Sequence, residues 1–128
     1  MIQIEFNRKI YFNKNELRCK GSGMILLAEG FPEALLALRL AYNKAMSVIS
    51  VCRSSAHNRA VGGALNSYHI CDTGRGCCAA DILITASQER ARFIKLALEL
   101  GWSIGVNKAF VHIDRRIDHG ADQLLFLY

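Results

Sequence analysis

A single proline and no low-complexity run occur along the chain, so no segment reads as disordered or as a linker. Nor is there an apolar stretch of roughly 18 residues, the length a membrane span needs; Lys, Arg and Glu interrupt every candidate. No membrane segment is expected. Internal repeats are also missing. Sixteen basic residues face eleven acidic ones, a net charge of +5. They are scattered rather than gathered into a basic arm, so no nucleic-acid partner is expected. A basic surface still attracts anionic polymers in general. The N-terminal stretch MIQIEFNRKIYF has neither the apolar core nor the small-residue cleavage site of a secretion signal. Five cysteines are present, an odd number: Cys19, Cys52, Cys71, Cys77 and Cys78. Both features point to synthesis in a reducing cytosol with free thiols.

What is present describes one globular domain over residues 1–128. The apolar fraction of 52% and charged fraction of 21% are ordinary for such a domain, and the length suffices for one core. The first 30 residues read as an irregular or short-strand lead-in closed by Gly21, Gly23 and Gly30. A helix is predicted from Pro32 to Met46, with Glu33 in its first turn and Leu35, Leu36, Leu38 and Leu40 on a broad apolar face. Ser47–Cys52 is β-branched and reads as a strand, and Arg53–Ser67 as a polar, glycine-bearing loop. Residues 79–84 read as a buried strand. A capping pattern at Thr85 and Gln88 predicts a second helix over about 86–100, stopped by Gly101. Three strand candidates follow, Trp102–Val106, Ala109–Asp114 and Gln123–Tyr128. The sum is an α+β fold: a small antiparallel sheet with two main helices.

Two histidines sit in apolar, strand-like surroundings, His69 after Asn66-Ser67-Tyr68 and His112 within Phe110-Val111-His112-Ile113-Asp114. Alternation puts Phe110, His112 and Asp114 on one face. Asp81 follows two alanines and precedes Ile82, Leu83 and Ile84. A carboxylate there is costly to bury unless it is paired or binds a cation. Two neutral imidazoles and one carboxylate make an open zinc site, with a fourth position left for water. Such a water loses a proton near neutral pH and becomes a nucleophile. Spacing alone is weak support for it, since a lone strand histidine is more often a hydrogen-bonded core or surface residue.

The segment Cys52-Arg53-Ser54-Ser55-Ala56-His57-Asn58-Arg59-Ala60-Val61-Gly62-Gly63-Ala64-Leu65-Asn66-Ser67-Tyr68-His69 resembles the signature of the zinc D-alanyl-D-alanine carboxypeptidase family. That family includes wall-cleaving D,D- and L,D-peptidases and bacteriophage lysins, and its fold is similar to the hedgehog signalling domain. An Arg-Ser, a His-Asn-x-x-Val-Gly-Gly, a Ser-x-His, an Ala-Ala-Asp and an apolar pair before a last His occur here in the family's order. The resemblance implies one zinc ion held by His69, Asp81 and His112. It implies that Arg53 steadies the substrate carbonyl and the oxyanion, and that Ser67 orients a ligand or substrate. His57, Asn58 and Gly62-Gly63 are expected to shape the loop. The implied partner is a peptidoglycan stem peptide, and the chain is expected to act as a monomer. Made in the cytosol, it would act on the bacterial wall, as a phage-encoded lysin does.

Two departures from the family pattern stand out. Between His69 and Asp81 lies an insertion of about five residues, which a surface loop absorbs at little entropic cost. It brings in Asp72 as a rival ligand and places Cys71, Cys77 and Cys78 together. These could pair, bind a second metal or stay free; without zinc-finger spacing or a fourth ligand, free thiols are expected. Many members carry an acid three residues before the last histidine, where Ala109 stands here. Asp114 is therefore the candidate base, or else the partner of His112; a strand-end pairing with Arg115 or Arg116 is the plainer possibility. A non-catalytic, hedgehog-like zinc domain that binds wall or a protein partner is the alternative function.

Overall fold

A computed structural model describes residues 3–128; the first two residues of the lead-in lie outside the described residues. The lead-in begins with a hairpin of β1 (Ile4–Phe6) and β2 (Lys9–Phe12). Its two-residue turn, Asn7-Arg8, has both residues at positive φ, the backbone that joins twisted antiparallel strands most directly. A one-turn helix α1 (Lys14–Leu17) follows, closed by a reciprocal capping box between Asn13 and Glu16.

Helix α2 (Phe31–Tyr42) carries Pro32 in its first turn. It stops short of the predicted Met46 because Asn43 turns left-handed at φ 56°. Helix α4 (Ser87–Glu99) begins one residue later than the predicted cap, with Ala86 at the boundary and no side-chain cap. Thr85 is thereby out of register with the exposed amides, and the predicted capping box is not made. The helices are joined instead through Glu89, which accepts from the Tyr42 hydroxyl at 2.6 Å and pairs with Lys44 at 2.8 Å.

The main sheet has five strands: β3 (Val48–Ser50), β4 (Ala79–Ile82), β5 (Ser103–Val106), β6 (Val111–Asp114) and β7 (Leu125–Leu127). Their spatial order is β3-β4-β6-β5-β7. All neighbours are antiparallel except β5 and β7. Both sides of β6 are occupied, so the returning chain passes over β5 and runs in its direction. A six-residue helix α3 (Ser55–Ala60) interrupts the loop predicted over 53–67.

Register fixes what lies on each face. Ser50 pairs with Asp81, Asp81 with His112, His112 with Gly105, and Gly105 with Phe126. Directly opposed residues share a face, so these five form one row across the sheet. The alternate residues Ala80, Ile82, Ile104, Val111 and Ile113 are buried in the core with Leu35, Leu38, Phe93 and Trp102. One face is thus apolar and packed, and the other carries the polar row.

Gly105 is the narrow point of that row. A Cβ there would lie 2.8–2.9 Å from ring atoms of Phe126 and Tyr128, closer than side chains approach without moving. We expect Gly105→Ala to displace β7 and to destabilise the protein by about 1–3 kcal/mol in urea denaturation. An unchanged midpoint would mean that β7 is not seated as described.

Candidate metal centre

Neighbouring strands carry two of the three sequence-predicted ligands, Asp81 on β4 and His112 on β6. The third, His69, comes from the loop after α3. That loop is tied to the segment that follows β3 by the backbone bonds Arg53 N to His69 O, 3.0 Å, and Cys71 N to Arg53 O, 2.9 Å. Side-chain donor atoms of all three lie within 4.8 Å of one another, and this is the one such group found among the described residues. All three are buried, at 0%, 2% and 3% exposure for His69, Asp81 and His112.

The hydrogen bonds decide which atoms face inward. His69 Nδ1 lies 2.6 Å from the Val51 carbonyl. A carbonyl only accepts, so the ring proton is on Nδ1 and the Nε2 lone pair is free. His112 Nε2 lies 2.8 Å from Asp114 Oδ2. Burial would raise the Asp114 pKa, but hydrogen bonds from Arg116 and His112 bring it down to about 2. It is a carboxylate at neutral pH and accepts the His112 proton, leaving the Nδ1 lone pair free. Both free lone pairs point at Asp81 Oδ1, from 3.1 Å and 2.9 Å. Three acceptors therefore converge on one point, an arrangement that repels unless a cation fills it. The donor set of two imidazoles and one carboxylate fits zinc.

Arg53 closes the far side of Asp81. Its Nη2 donates to Asp81 Oδ2 at 3.3 Å, its Nε to Ser50 Oγ at 3.2 Å, and its Nη1 to Asn58 Oδ1 at 3.2 Å. Three of its five N–H groups are thus engaged and two are left for a ligand. Asn58 is itself held, donating to the Ala64 carbonyl at 2.9 Å. Gly63 makes room for this clamp: a Cβ there would lie 2.1 Å from Asn58 Oδ1. Asn58 and the Gly62-Gly63 turn therefore shape the loop by seating the arginine.

The other predicted residues meet some expectations and depart from others. Asp114 is no base for a substrate-side water. It is fully buried behind the His112 ring, and its oxygens are taken by His112 Nε2 and by the Arg116 amide, Nε and Nη2 at 2.7–3.0 Å. Its partner is Arg116, not Arg115, which pairs with Asp118. Asp72, the rival ligand, is exposed and instead accepts from the Ser55 amide and hydroxyl at the start of α3. The Ser67 hydroxyl accepts from the His69 amide at 3.2 Å and so fixes the ligand loop. All five cysteines are free and buried, and Cys77 Sγ donates to the same Val51 carbonyl that orients His69, at 3.3 Å.

Two cavities flank the centre. One of about 600 Å³ is lined by Arg53, Asp81, Gly63, Phe110 and Tyr128. The other, of about 430 Å³, is lined by Ser67, Tyr68, His112, Arg116 and Tyr128. Tyr128 stands between them, stacked on His112 with ring centroids 4.7 Å apart and planes 19° from parallel. Sequence reasoning missed Tyr128 and Phe126. The only available signal was the aromatic pair at alternate positions of the last strand, which reads equally well as core.

Comparison with known proteins identifies a family. The family model described as Peptidase M15 matches residues 10–114, a span that includes Arg53, His69, Asp81, His112 and Asp114 and stops short of β7. No curated protein and no solved structure shows a significant match.

The Asp114 geometry has a consequence in acid. Its folded pKa lies below its unfolded value, so the unfolded chain takes up the proton first as pH falls. The stabilisation, about 2 kcal/mol, is complete above roughly pH 5 and is lost progressively between about pH 4 and 2. Urea denaturation against pH should show that decline in the wild type and a flatter profile in Asp114→Asn. The same substitution should weaken zinc binding by about 10–100-fold in competition with a chelating dye. Undiminished affinity would mean that Asp114 does not orient His112.

Proposed function

The chain belongs to the peptidase M15 family, and on that footing we propose that it is a zinc-dependent hydrolase of peptide bonds in bacterial peptidoglycan stem peptides, near D-alanine. The observation that carries this reading is the convergence of three buried acceptors beside a cavity that also holds Arg53. Zinc bound there supplies Lewis acidity and lowers the pKa of a water toward neutrality. The protein does the rest. Val51 and Asp114 fix the two imidazoles so that their lone pairs face the ion. Asp81 divides its oxygens, Oδ1 toward the ligand group and Oδ2 toward Arg53. Arg53, held at three nitrogens, aims its remaining N–H groups at charge developing on the scissile carbonyl oxygen. The aromatic wall of Phe110, Phe126 and Tyr128 keeps that charge in a region of low dielectric. Action on the wall as a phage lysin, by a monomer with no nucleic-acid partner, belongs to the same proposal.

One observation favours a second reading. Among the described residues, Asp81 is the only one with a side-chain carboxylate lining either flanking cavity, and Ala109, where an acid stands in many relatives, is exposed. A zinc domain that binds wall fragments without cleaving them would have this composition. The two readings separate on zinc-loaded protein incubated with muropeptides, the products being read by mass spectrometry. New fragments support hydrolysis; binding without fragments supports the second reading.

We expect His69→Ala or His112→Ala to abolish bound zinc and wall digestion together. If turnover is limited by the missing acid, Ala109→Glu should raise kcat by tenfold or more without changing zinc content. No gain would mean that another group already takes the proton.

A further inference from the structure

The flanking cavity that reaches His112 continues beyond the centre. Leu65, Asn66, Ser67 and Tyr68 line it and also line a third cavity of about 240 Å³, to which Thr73 and Arg75 contribute as well. Thr73 and Arg75 come from the extra segment between His69 and Asp81, the part of the chain that departs from the family's spacing.

Two guanidinium groups lie over the Tyr68 ring, Arg75 at 4.4 Å and Arg116 at 4.7 Å from its centroid. Their charges are answered very differently. Arg116 makes a two-nitrogen fork onto the Asp114 carboxylate. No carboxylate of the described residues comes within ion-pair distance of Arg75. Its Nε contacts only a sulfur, Cys78 Sγ at 3.4 Å. Arg75 is nonetheless half-buried, stacked and held in place. A partly desolvated guanidinium with both terminal nitrogens unengaged suits a planar anion approached edge-on. Asn66, Ser67 and Thr73 add neutral hydrogen-bonding groups to the same cavity. A few polar groups converging on a cleft are what fix a ligand's orientation.

We propose that Arg75 forms a carboxylate-binding subsite, which selects peptide substrates bearing an acidic residue on the His112 side of the scissile bond. This rests on the peptidase reading and adds the chemistry of one substrate position. Arg75 is a specificity residue and takes no part in bond cleavage.

The test uses two synthetic stem peptides that differ only in a D-glutamate carboxylate or its carboxamide, and a cleavage-resistant reduced-amide analogue of the acidic one. Wild-type zinc protein should prefer the acidic peptide by about tenfold or more, expressed mainly in KM. In Arg75→Gln that ratio should fall toward one, and Arg75→Lys should restore part of it. The analogue should bind Arg75→Gln more weakly than wild type by a similar factor, with zinc content unchanged. Equal handling of both peptides by the wild type would overturn the proposal. So would a loss in Arg75→Gln of the same size for both, since that is the signature of a merely structural role. Failure of the peptidase reading looks different: neither peptide is cut, while analogue binding still reports on Arg75.

Discussion

Two imidazole lone pairs, each within hydrogen-bonding distance of one carboxylate oxygen and buried with it, form the constraint on which the rest of the structure turns. Each ring is committed by its other nitrogen, His69 to the Val51 carbonyl and His112 to Asp114. Neither can turn its proton toward Asp81 without abandoning a buried acceptor. Losing such a bond costs on the order of 1 kcal/mol, and more where the acceptor is charged. The cluster is therefore built for a cation, and the surrounding elements can be understood by how they keep it built.

The sheet supplies the precision. Asp81 and His112 face each other across β4 and β6, and the same row continues through Ser50 on one side and Gly105 and Phe126 on the other. Ser50 helps hold Arg53, and Gly105 leaves space for the aromatic rings beside His112. A slip of one residue in register would send the ligands into the apolar core. The fully buried Ile82, Val111 and Ile113 on the opposite face make that slip prohibitive. Packing thus fixes the metal geometry from behind.

Much of this was legible from sequence, for identifiable reasons. The strands at Val48–Ser50, Ala79–Ile82, Ser103–Val106 and Val111–Asp114 carry β-branched or alternating patterns, and both long helices have strong apolar periodicity. The N-terminal hairpin was read only as a possible short strand because its turn, Asn7-Arg8, lacks the glycine that usually marks such a loop. Helix α3 is too short for periodicity to register. The parallel placement of β7 depends on which strand edges remain free, which is a global property. Among site residues, His69, Asp81 and His112 carried a motif. The roles of Val51 and Gly105 did not, because one acts through its backbone and the other through a missing atom. For Asp114 the sequence leaves three roles open, a base, the partner of His112 and a strand-end pair with Arg115 or Arg116, and the choice among them follows only from three-dimensional placement.

Anomalous X-ray scattering at the zinc edge, from crystals grown with zinc, tests the central claim most directly. A single strong peak is expected about 2 Å from His69 Nε2, Asp81 Oδ1 and His112 Nδ1, with the Val51 and Asp114 contacts retained. A peak located elsewhere, or those three atoms still resting against one another with zinc in excess, would contradict it.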